Sequence, residues 1–181
     1  METDSENINR IQRVSSTFRL LFTVLIFCIP VITLLYWLFF NVLPVGFTTD
    51  LPVVVNQTLP LKTLVLAFLI SLIPAFVAIY GMINLQKLFK LYEKAIVFSG
   101  QNVKCFRHLG YALIYWVLAN LVFTILISIV LTINNSSGER MIVAQFGISD
   151  IGTLIIGAVI ILVSWVMDEA VKLEDEQAHT V

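Results

Sequence analysis

Charge is scarce in this chain: Asp, Glu, Lys and Arg make up only 13% of its 181 residues, about half of what a soluble domain carries. An ordinary water-soluble surface is thereby excluded. The few charges also cancel, 11 basic against 12 acidic residues for a formal net charge of -1, so no overall positive field exists to hold nucleic acid. Histidine and cysteine are scarcer still. His108, His179, Cys28 and Cys105 are the whole supply, too few and too far apart for a metal cluster. Cys28 falls inside an apolar run and Cys105 beside a basic one, a separation in depth that argues against a disulfide between them. Also missing are G-x-S-x-G, H-E-x-x-H and a glycine-rich phosphate loop, so hydrolases and nucleotide enzymes lack their parts. The expectation is a protein without enzymatic activity, cofactor or metal.

What is abundant is apolar surface, at 59% of residues and a mean hydropathy of +0.94, which demands burial and excludes disorder. It is gathered into runs. Charge-free stretches extend from Leu20 to Phe40, Thr63 to Gln86, Leu109 to Ser137 and Ile151 to Met167, each long enough as a helix to cross a hydrocarbon core of roughly 30 Å. Lipid offers no partner to a bare amide or carbonyl, so each run must be helical. The fold expected is an all-α membrane protein, one integral domain over 1–181 with spans near 18–40, 62–85, 109–133 and 151–167. The mixed charges ahead of the first run, and the lack of a small-x-small site after it, fit a retained anchor better than a cleaved signal.

Threading follows from the basic residues. If both termini are cytoplasmic, Arg10, Arg13, Arg19, Lys87, Lys90, Lys94, Lys104, Arg107 and Lys172 lie inside and only Lys62 and Arg140 outside. Nine against two is a clear positive-inside bias. The location expected is therefore the cell membrane.

Between the second and third runs, Leu85, Leu88, Phe89, Tyr92, Ala95 and Ile96 recur at three- and four-residue spacing, the pattern of an amphipathic helix. Its other face carries Lys87, Lys90 and Lys94. A cytoplasmic connector lying on the inner leaflet is expected, its basic side toward lipid phosphates or a protein. With Lys104 and Arg107 it forms a candidate docking face. Asn102 can cap the helix that follows, and Ser149 or Asp150 the fourth.

In the third run Asn120, Thr124, Ser128 and Thr132 recur at steps of four, which places them in one polar stripe. Such a stripe must face other helices or water. Interhelical hydrogen bonding is the plainer reading, and a path for a polar ligand or ion is the alternative. Thr153 and Gly157 are a small-xxx-small pair of the kind that lets helices approach. No carboxylate, histidine, lysine or arginine falls inside any of the four runs, which disfavours ion-coupled transport.

Two stretches carry a family resemblance: Phe98-Ser99-Gly100-Gln101-Asn102-Val103 followed by Leu109-Gly110, and the terminus Leu173-Glu174-Asp175-Glu176-Gln177-Ala178-His179-Thr180-Val181. They resemble the bacterial membrane family filed as domain of unknown function 2975, whose connector reads roughly F-x-x-x-N-V then L-G and whose chain ends roughly L-x-x-E-Q-x-x-T-V. Ala170 and His179 depart from its usual residues. The resemblance implies four membrane helices and a bacterial inner membrane. Because members are often encoded beside an Xre-type helix-turn-helix regulator, it also implies a cytoplasmic regulator as partner. It supplies no catalytic residue. The functions that remain are a non-enzymatic membrane partner or sensor for such a regulator, and a small-solute channel or immunity-type protein. The bilayer is the one certain partner, and self-association into a homo-oligomer is open to either.

Overall fold

A computed structural model of the chain describes residues 2–44, 51–55, 58–96, 99–135, 138 and 140–179. Four long helices carry it: α1 (Glu2–Leu38), α2 (Leu61–Glu93), α3 (Gly100–Thr132) and α4 (Ile148–His179), with a short 3-10 turn at Phe40–Val42. There is no strand among the described residues. All four helices are long and apolar enough to cross a membrane.

The helices exceed the charge-free runs that announce them. At about 1.5 Å per residue a 33-residue helix is about 50 Å long, well beyond the hydrocarbon thickness. The excess lies at one end, where the polar leader is the first part of α1 and the acidic tail continues α4. Pro30 and Pro74 sit within unbroken α1 and α2.

Packing runs between chain neighbours, α1 on α2, α2 on α3 and α3 on α4. Each pair is antiparallel. Arg19 meets Glu93 at 2.8 Å, Tyr80 meets His108 at 2.7 Å, and Arg107 meets Asp168 at 3.4 Å. The termini and the α2–α3 turn therefore share one end, hereafter the basic end. α1 and α4 flank the α2–α3 hairpin and leave Phe27, Val31 and Leu38 on one side, and Ile155, Val159 and Val166 on the other, exposed. Such surfaces suit lipid and not water.

Two devices fix the interior. Gly110 and Gly157 face each other where α3 crosses α4, so closely that a Cβ on Gly110 would lie 2.8 Å from the Gly157 carbonyl and 2.5 Å from Ile161 Cγ1. Only hydrogen fits there. At the opposite, loop end, Val53 and Leu59 tuck into a cluster with Trp37, Phe40, Ala67 and Ile127. Asn41 clamps that loop, its Nδ2 donating to the Leu59 carbonyl at 3.0 Å and its Oδ1 accepting from the Leu59 amide at 2.9 Å.

The amphipathic stretch after Leu85 continues α2 without a break as far as Glu93. Much of its apolar face is covered by α1, while Ala95 and Ile96, past the helix end, stay exposed. Phe89 stacks on Phe18 and meets Phe22 of α1 at a tilt, ring centres 5.1 and 5.4 Å apart, and Leu88 is buried. The pattern reveals that a face is apolar, not what lies on it.

Candidate functional site

α2 ends on a left-handed residue. Ala95 has φ 58°, and the amides of Ala95 and Ile96 donate to the carbonyls of Tyr92 and Leu91, the paired closure of a Schellman motif. Ser99 then caps α3, its hydroxyl accepting from the Asn102 amide at 3.4 Å. The cap expected from Asn102 is therefore supplied by Ser99. Asn102 is fully buried and its Nδ2 donates to the Ile96 carbonyl at 3.0 Å, tying the end of α2 to the start of α3. Phe98, the first residue of this family-like stretch, lies outside the described residues, as do Thr180 and Val181 at the terminus.

This tight turn sets two rows of side chains face to face. Lys87, Lys90, Leu91 and Lys94 of α2 and Gln101, Lys104 and Cys105 of α3 enclose a recess of about 340 Å³. Four of the five basic residues singled out in the sequence thus converge. None of the four ammonium groups forms an ion pair among the described residues, whereas Arg19, Arg107 and Lys172 are each paired with Glu93, Asp168 or Glu169. Arg107 does not join the recess; it turns toward α4 and Asp168. Gln101 and Cys105 escaped sequence reasoning, although the spacing of residues 101, 104 and 105 marks one helical face.

The polar stripe divides. Asn120 lies beside Trp37, Ser71, Pro74 and Trp116 on a mainly apolar cavity of about 500 Å³ between α1, α2 and α3, and donates to the Trp116 carbonyl at 3.0 Å. Thr124 donates to the Asn120 carbonyl at 2.8 Å. Ser128 and Thr132 instead hold the extended segment that returns to α4: Ser128 Oγ accepts from the Val143 amide at 3.0 Å, and Thr132 Oγ1 from the Met141 amide at 3.2 Å. The stripe therefore does not line a single passage. Interhelical polar contacts come mostly from other residues, Trp37 Nε1 donating to Ser71 at 2.8 Å, Gln86 to Thr23 at 2.7 Å and Asn134 to Thr63 at 3.0 Å.

Both cysteines are free thiols, and among the described residues no group of His, Cys, Asp and Glu is placed to hold a metal. At the start of α4 it is Asp150 that acts, accepting from the Gly147 amide at 2.7 Å, the acidic half of a capping box.

Residues 20–181 match the family described as "Protein of unknown function (DUF2975)". No curated protein and no solved structure matches the chain.

Proposed function

The chain belongs to this family of proteins of unknown function, and from that premise we propose a non-enzymatic, four-span membrane protein that holds or senses for a cytoplasmic regulator at its basic end. Both termini and the α2–α3 turn face the cytoplasm in this reading, which the nine-to-two distribution of basic residues favours. The bilayer is the cell membrane.

The observation that carries it is the convergence of Lys87, Lys90, Lys94 and Lys104 without carboxylate partners among the described residues, at the end where α1 and α4 run on past their neighbours. Like charges at helical spacing repel, a cost that an anionic partner removes. Arg107 stands beside this face. The partition of Asn120, Thr124, Ser128 and Thr132 supports this reading over a small-solute channel, since half of that stripe serves the chain's own backbone. A tagged full-length chain pulled from native membranes of cells carrying the neighbouring regulator should bring that regulator with it. Exchange of the four lysines for Gln should abolish capture, and absence of any soluble partner from the wild-type eluate overturns the reading.

A further inference from the structure

We infer that the recess between α2 and α3 is a seat for the phosphate groups of an anionic phospholipid. The inference rests on the cytoplasmic orientation proposed above and deepens it by naming what the recess itself holds; a regulator would meet this face with the lipid in place.

Depth comes first. Lys87 closes the charge-free run of α2, and Lys90 and Lys94 follow at one and two turns. Lys104 precedes the apolar run of α3 by five residues. Lys87, Lys90 and Lys104 therefore stand at about the level of lipid headgroups, which occupy the outer several ångströms on each side of the hydrocarbon core, and Lys94, about 10 Å past Lys87 along the helix, is within reach of them by its stem. Their alkyl stems can lie along the apolar helix while the charged ends rise to the phosphates.

Charge comes second. Nearby cations at the same end have found carboxylates: Arg19 has Glu93, and Arg107 has Asp168. The recess lysines have none among the described residues, and no acid stands in the first turn of α3, where the helix dipole favours an anion. Gln101, in that first turn, adds an amide to the rim. Four cations of like sign around about 340 Å³, with the positive end of a helix among them, call for more than one negative charge. A lipid carrying two phosphates meets that demand best, and basic pockets between membrane helices on the cytoplasmic side take such headgroups. The apolar exposed face of the adjoining helices leaves room for its acyl chains.

The test uses the purified full-length chain alone, with no regulator, so that its outcome is independent of the capture experiment above. The protein is placed in phosphatidylcholine nanodiscs doped with cardiolipin or phosphatidylglycerol, extracted gently, and examined by native mass spectrometry for retained lipid. Wild type should keep cardiolipin in preference to phosphatidylglycerol and both over phosphatidylcholine. Lys90→Gln with Lys94→Gln should weaken retention roughly thirtyfold. Lys90→Arg with Lys94→Arg, which keeps the charge, should retain lipid, and so should Arg10→Gln with Arg13→Gln, which removes equal charge from α1 outside the recess lining. Size-exclusion profiles matching wild type establish that each variant is folded. Equal loss in the Arg10/Arg13 variant, indifference to headgroup charge, or displacement of the lipid by millimolar inorganic phosphate each overturns the proposal, the last in favour of a soluble phosphate.

Discussion

Ala95 occupies the left-handed region, φ 58°, at a position where helices closed in this way usually place glycine. A Cβ there costs on the order of 1–2 kcal/mol, partly offset by the smaller freedom of alanine in the unfolded chain. Ala95→Gly should therefore raise stability by about 0.5–1 kcal/mol, seen as a higher midpoint in detergent-titrated unfolding; a fall would mean that the methyl group packs. Asn41 makes the opposite case. Its amide satisfies both backbone groups of Leu59, and Asn41→Leu strands them beside a buried cluster. A loss of about 1–3 kcal/mol is expected, together with faster hydrogen exchange at the Leu59 amide than at amides inside α2. Neither residue announces its role in the sequence. Alanine is an ordinary helix former, so the end of α2 carries no glycine signal, and Asn41 finds its partner across eighteen residues of loop.

The helices themselves are legible because lipid permits so few solutions. Charge-free apolar runs of 17 to 29 residues are long enough to span as helices, and the four of them correspond to α1 to α4. Their ends were harder to place, since polar sequence beyond the bilayer can continue a helix without any apolar pattern to mark it. The recess was half legible: Lys87, Lys90 and Lys94 share one face of α2 by spacing alone, but their meeting with Lys104, and the departure of Arg107 toward Asp168, depends on how α3 is rotated. That rotation is fixed by glycine. At Gly110 an added Cβ would lie 2.5 Å from Ile161 Cγ1 and 2.8 Å from the Gly157 carbonyl, whereas at Gly81 the nearest atom, Ala112 Cβ, is 3.7 Å away. Gly110→Ala should cost about 1–3 kcal/mol through overpacking and lower the thermal midpoint in detergent. Gly81→Ala, free of that clash, should gain up to about 1 kcal/mol of helix propensity. Equal behaviour of the two variants would remove the α3–α4 contact as the reason for the family-like Leu109-Gly110 pair.

At the scale of the molecule, two ends of different chemistry are held apart by about 30 Å of apolar helix. The loop end holds a buried hydrophobic cluster with Val53 and Leu59, hydroxyls that accept from an extended return segment, and a recess of about 530 Å³ beside Asn134 and Met141. The basic end gathers four lysines that form no ion pair among the described residues, beside helix ends that run on past the apolar stretches. The two ends thus differ in chemistry, and threading decides which of them the cytoplasm meets. Threading is directly measurable. In a Cys28→Ala, Cys105→Ala background, Val54→Cys places a thiol on a residue 84% exposed at the loop end, and Gly100→Cys places one at the basic end where an added Cβ meets nothing within 4 Å. A membrane-impermeant maleimide should label Val54→Cys in intact cells and Gly100→Cys only after permeabilisation. Labelling of both from the same side would mean that the two ends are not separated by a bilayer, and the reverse order would turn the lysine recess outward, away from any cytoplasmic regulator and toward the opposite leaflet.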